Sequence, residues 1–199
     1  MAKDYSKELR KVKPFAKYTQ AALVREAEEI LSQLPKTFKE AQMDSFMEPL
    51  SYIWYQLRRP HRSKLNKALN SHASRLQAIR WLPEVKALIE KEKFKKTERR
   101  SGHVYFILLD ATEYKNAKSA CGIYIGQSMY TPERRFENHK AGNHASRIVE
   151  KKGKFILKSL SYHFCPISRG EAIRLETEIL KLLRSANLEY LPEKIIKGN

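Results

Sequence analysis

Five side chains, Tyr105, Tyr124, Arg135, His139 and Glu176, stand in an order and spacing that can cut a phosphodiester. Two phenols and an imidazole can position water or move its proton, a guanidinium can bind two phosphate oxygens at once, and a carboxylate can hold a divalent metal. Arg135 and His139 are i and i+4, so on a helix they emerge on one face and reach one ligand. Glu176 shares a helical stripe with Ala172, Ile179 and Leu183, an apolar face on which a carboxylate is costly to bury without a partner. Arg174 and Glu178 fall off that stripe. The residue types leave open which of Tyr105, Tyr124 and His139 is the general base; Tyr105 is taken first, with His139 assisting. A free phenol titrates at about 10, so such a base needs positive charge nearby.

The elements that must carry this set change character along the chain. Residues 1–98 read as about four helices, with stripes at Leu23, Ala27, Ile30, Leu31 and Leu34, then at Leu50, Ile53, Trp54 and Leu57, then at Leu65, Ala68, Leu69, His72, Leu76 and Ile79. Thr37 with Glu40 suits a capping box, Pro49 should kink the second helix or start a new segment, Pro60 breaks the chain before the third stripe, and Pro83 opens a helix with Val85, Leu88 and Ile89. The basic run KEKFKKTERR marks the end of this part. Beyond it, His103 to Asp110 reads as a strand, Ile123 to Gly126 lies in a second, and residues 111–122 suit a long hairpin loop. The segment 131–142 is a well-punctuated helix, with Thr131 at the N-cap, Pro132 at N1 and Gly142 at its end. A third strand over 155–164 and a helix over 170–185 complete the pattern.

Across 199 residues, 39 basic side chains against 22 acidic ones leave a net charge of +17, which points to a polyanionic partner and makes a small neutral substrate a poor fit. Residues 1–100 hold 23 basic and 12 acidic side chains, so the helical part carries the larger share. Nucleic acid leads, ahead of an anionic membrane surface; no apolar run approaches a membrane span, and a soluble, intracellular protein is expected. Cys121 and Cys165 are too few for a disulfide framework or a four-ligand zinc site. The segment 56–67 (QLRRPHRSKLNK), with Arg58, Arg59, Arg62 and Lys64, is the candidate for phosphate contact, and Arg134 is a further one.

The C-terminal half resembles the GIY-YIG nuclease superfamily over residues 102–190. The first-motif tyrosine falls on Tyr105 of HVY, the second motif on Tyr124, Ile125 and Gly126, and the helix motif on Arg135 and His139. His103 and Val104 replace the usual Gly and Ile, the loop between the tyrosines is longer than in compact members, and the triplet Gly122-Ile123-Tyr124 belongs to the second strand. The expected fold is α+β: an N-terminal α-helical domain (1–98), read from the apolar stripes alone and a candidate for DNA binding or dimerisation, and a nuclease domain (99–199) for which the resemblance implies a three-stranded antiparallel sheet flanked by helices. The resemblance also implies one Mg²⁺ (or Mn²⁺) per active site held by Glu176, with His144, Asn187 and Gly126 in support. The implied activity is metal-dependent hydrolysis of DNA to 5′-phosphate and 3′-hydroxyl ends; double-stranded DNA is expected ahead of single-stranded, the compact two-part build leans toward a restriction-like or mobile-element endonuclease, and a homodimer is a further expectation. The alternatives are a non-catalytic nucleic-acid-binding protein on the same fold and a repair or structure-specific nuclease.

Overall fold

In the computed structural model, which describes residues 14–34, 44–72, 78–95, 102–112, 121–143, 145–164, 167–191 and 193–198, four helices precede a sheet domain. Helix α1 (Gln20–Ser32) starts at Thr19, whose hydroxyl accepts from the Ala22 N–H at 3.2 Å, and it buries Leu23, Ala27 and Ile30. Helix α2 (Asp44–Gln56) continues through Pro49 with no new segment, because Leu50, Ile53 and Trp54 on its inner face are buried and outweigh the lost backbone bond. Pro60 lies in the first turn of α3 (Arg59–His72), where a missing N–H costs nothing, and so begins that helix instead of breaking the chain before it. Helix α4 (Leu82–Ile89) has Pro83 in its first turn. The expected capping box at Thr37 and Glu40, most of the hairpin loop, His144 and the boundary at 98–99 lie outside the described residues.

The sheet was expected to be three-stranded and antiparallel; it has four strands and is mixed, in the order β3-β1-β2-β4. Strands β1 (His103–Asp110) and β2 (Cys121–Ser128) pair antiparallel, with Tyr105 opposite Gly126 and Ile107 opposite Tyr124. Strand β3 (Gly153–Ile156) lies antiparallel to β1, and β4 (Ile196–Lys197) returns parallel to β2. Two residues give no periodicity to read, so β4 has no sequence signal. Helices α5 (Pro132–Lys140) and α6 (Arg147–Lys152) come between β2 and β3, and α8 (Arg169–Ser185) precedes β4.

The strand expected over 155–164 ends at Ile156 and gives way to a short helix, α7 (Lys158–Ser161). Its serines explain the change. The Ser161 hydroxyl accepts from the Phe106 N–H at 3.0 Å, so a side chain takes the place that a strand backbone would have filled beside β1. The Ser159 N–H donates to Glu48 of α2 at 3.1 Å, the Ser159 carbonyl accepts from Lys86 of α4 at 3.1 Å, and Tyr52 donates to the Ser159 hydroxyl at 3.0 Å. Lys86 also pairs with Glu90 at 2.9 Å. The helical part therefore holds the sheet part through buried, charge-assisted bonds.

The sheet is covered on both faces. Val104, Phe106, Ile123 and Ile125 join Leu50, Trp81 and Ile89 of the helical part and Leu175 and Ile179 of α8 in one apolar cluster. Tyr105, Ile107, Leu109 and Tyr124 face the other way, against Val149, Phe136 and Ile148 of α5 and α6. Glu48→Ala should leave the Ser159 N–H buried and unpaired, destabilising the protein by about 1–3 kcal/mol. Urea unfolding followed by the fluorescence of Trp54 and Trp81 should show one transition moved to lower urea, since both halves share the cluster; two separate transitions would contradict this.

Candidate active site

Two adjacent strands and one helix bring most of the reactive set together. Tyr105 and Tyr124 stand on the same face of β1 and β2, buried, with ring centroids 6.1 Å apart. Gly126 is opposite Tyr105, and a Cβ there would lie 2.5 Å from the phenol oxygen, so this position accepts only glycine while Tyr105 keeps its place. Helix α5 begins immediately after β2. Its N-cap Thr131 accepts from the Arg134 N–H at 3.4 Å, and Pro132 occupies the first turn. One turn in, Arg135 is half-buried and His139 fully buried.

His139 bridges the two sides of the site. Its Nε2 is 2.9 Å from the Tyr105 hydroxyl, and its Nδ1 accepts from the Ser146 backbone N–H at 3.0 Å. A backbone amide can only donate, so Nδ1 carries no proton and the neutral ring holds its hydrogen on Nε2, which donates to Tyr105. Burial and the neighbouring Arg135 charge push His139 down to about 4. Arg135 also bonds the Tyr105 oxygen. With two donors already on that oxygen, the Tyr105 hydrogen goes to Tyr124, with which it is hydrogen-bonded. Burial holds Tyr105 far above the ordinary phenol range, and the bond to Tyr124 adds to the rise while Arg135 opposes it. Tyr124 is also raised by burial, but the bonds from Tyr105 and from the Ser146 side chain lower it, the Glu176 charge raises it and Arg135 lowers it. Tyr124 is thus the more acidic phenol.

Glu176 lies on the buried face of α8, 8% exposed, among Ala172, Leu175, Ile179 and Leu183, and its charge reaches Tyr124. Glu178 belongs to a surface network in which Arg174 bonds both Glu178 and Glu171. Among the described residues no group of three or more His, Cys, Asp or Glu side chains converges on one point.

Residues 101–189 match the GIY-YIG catalytic domain. The GIY-YIG domain so delimited, a domain type of a nuclease superfamily, holds all five reactive residues. Comparison with curated proteins and with solved structures finds no match.

Among the described residues, the other expected supporting and binding residues lie outside this hydrogen-bonded cluster. Asn187 is exposed at the left-handed position after α8, with φ of 47°, about 16 Å along the helix from Glu176. Arg62 stacks over the Trp54 ring at 4.8 Å and bonds the Tyr55 carbonyl, while Arg58, Arg59 and Lys64 are exposed on α3 and its approach. Arg134 is exposed at the start of α5. Ser146 is the site residue missed in the sequence. It precedes α6 at the N-cap, yet its hydroxyl makes no cap bond and goes to Tyr124 instead. A serine before a helix carries an ordinary capping signal, and nothing in the pattern links it to His139. No helix among the described residues is long and apolar enough to cross a membrane.

The His139 arrangement has a pH signature. Its folded value lies below the ordinary 6.5, so the unfolded chain takes up the extra proton; stability from this group is intact above about 6.5 and is lost as pH falls toward about 4. Imidazole nitrogen shifts should show the Nε2–H tautomer through the upper part of that window, giving way to the doubly protonated ring toward about 4. Titration of His139 near 6.5 in the folded protein, or an Nδ1–H tautomer, would contradict the bond to Ser146.

Proposed function

We propose that the protein is a metal-dependent DNA endonuclease that hydrolyses phosphodiesters to 5′-phosphate and 3′-hydroxyl ends, restriction-like or of the mobile-element type. The observation that carries this is the polarised cluster in which His139 and Arg135 both donate to Tyr105, Tyr105 donates to Tyr124, and the Glu176 charge reaches Tyr124. A net charge of +17 supports a nucleic-acid substrate, with the exposed Arg58, Arg59, Lys64 and Arg134 as phosphate contacts.

The donor set fits a lightly ligated ion. The buried carboxylate of Glu176 suits Mg²⁺ (or Mn²⁺), which keeps most of its water and binds through one or two carboxylates and phosphate oxygens. When bound, such an ion supplies Lewis acidity at the phosphate and the leaving 3′ oxygen. Glu176 would hold it, and Arg135 would stabilise charge on the phosphoryl oxygens as the transition state forms. His139 keeps Tyr105 in place and, being neutral with Nδ1 occupied, does not accept its proton. Tyr124, at the end of the donor chain, takes the place first given to Tyr105 as the group that orients and deprotonates water. Its phenol loses its own proton to solvent beforehand, then accepts one from the attacking water.

Two experiments test this. Glu176→Gln should retain DNA binding in EDTA and lose cleavage in Mg²⁺ by about three powers of ten, while Glu178→Gln, in the surface network, should cut nearly normally. A Glu176→Gln protein that cuts at the wild-type rate would remove Glu176 from the site, and a wild type that binds but never cuts would make the domain a binding module. The single-turnover rate should rise by about tenfold per pH unit around neutrality, since the phenol is protonated at rest. Tyr105→Phe should keep that slope on a lowered rate and Tyr124→Phe should lose it; the reverse outcome returns the base to Tyr105.

A further inference from the structure

Between two of the elements that carry this site, two consecutive apolar side chains are open to solvent. Met129 is 44% and Tyr130 47% exposed, and among the described residues only Tyr55 and Ile173 are comparable. They link β2, which carries Tyr124 and Gly126, to α5, which carries Arg135 and His139. Tyr130 is held in place although no core needs it: its N–H donates to the Ser128 hydroxyl at 3.0 Å, the next residue caps α5, and the Arg134 guanidinium lies 4.7 Å from its ring centroid. A turn followed by a helix N-cap asks for polar side chains, so an exposed aromatic here answers to something other than local structure. A phenol ring with a cation against it, in a chain of net charge +17 and beside a phosphodiester site, has the chemistry that stacks on a nucleobase. Tyr130 just precedes the N-cap of α5 and Arg135 lies one turn into it, so the ring and the phosphate contact are carried by the same helix start. Inside a continuous duplex the faces of a base are covered by its neighbours, so a stacking side chain needs a base that has left the stack.

We propose that Tyr130, backed by Arg134, is a stacking platform for an unpaired nucleobase beside the phosphate held by Arg135, so that the preferred substrate is a duplex whose pairing is interrupted at the cut. This rests on the nuclease assignment above. The test uses the full-length protein in EDTA and two probes of one sequence carrying 2-aminopurine, one fully paired and one with the fluorescent base in a central four-nucleotide bubble. Wild type should bind the bubble probe about 5- to 150-fold more tightly, the range that one base–aromatic stack supplies, and should quench its fluorescence. Tyr130→Ala should lose both the preference and the quenching with an unchanged melting temperature, and Tyr130→Phe and Tyr130→Trp should keep them. Equal binding of the two probes by wild type, an undiminished preference in Tyr130→Ala, or a loss in Tyr130→Phe as large as in Tyr130→Ala would each overturn the platform. A parallel Mg²⁺ cleavage assay separates the two ideas: a wild type that cuts without any bubble preference overturns the platform alone, and one that prefers and quenches the bubble probe but never cuts overturns the nuclease assignment alone.

Discussion

The register of β1 against β2 sets Tyr105 opposite Gly126, and the phenol end of that tyrosine occupies the space where a side chain at 126 would begin. Everything else in the site is referred to this close approach. It fixes the Tyr105 oxygen at hydrogen-bond distance from His139, and it aligns that oxygen with Tyr124 on the same face. A slip of one residue in β2 against β1 would turn Tyr124 to the opposite face, toward the large apolar cluster, and part it from Tyr105. The turn after β2 is short and its helix is capped at once by Thr131, so Arg135 and His139 are carried on an element whose start is tied to the same strand.

Burial has opposite consequences for the groups it encloses. It disfavours charge on both phenols and on the imidazole, which leaves His139 neutral and frees its Nε2 hydrogen for Tyr105. Direction in the hydrogen-bond chain then follows from a single amide, the Ser146 N–H, because a group that can only donate decides the tautomer of the ring it meets. The cost of desolvation is borne by the second apolar cluster of Ile107, Leu109 and Val149, which packs around the phenols and excludes water from their rings. Arg135 is the cation that offsets part of this penalty from within the chain.

The helical part enters the same structure as a covering layer with polar anchors. Glu48, Lys86 and Tyr52 all converge on Ser159, in a four-residue helix that would have little stability alone. That small helix in turn presents Ser161 to the N–H of Phe106, the residue next to Tyr105. A physical path of hydrogen bonds therefore runs from the helical part to the strand that carries the site.

Much of this was legible in the order of residues. The apolar runs of HVYFILLD and of the YIG strand, the Thr-Pro start and Gly end of α5, and the place of Glu176 on an apolar stripe are local patterns, set by strand composition, by the helical period of 3.6 and by backbone preferences at caps. They sufficed to locate Tyr105, Tyr124, Arg135, His139 and Glu176. The remainder depended on partners distant in sequence. FILKSLSYHF alternates well enough to be a strand, and becomes strand then helix because Glu48, Lys86 and Phe106 meet its serines from elsewhere in the fold. Asn187 matches a pattern by type but sits where a left-handed residue ends a helix, and Ser146 matches none yet sets the imidazole tautomer. Local sequence determines which residue types occur on which face of each element. Which donor meets which acceptor is decided only when the elements pack, because hydrogen-bond direction and desolvation belong to the assembled neighbourhood and to no single segment of it.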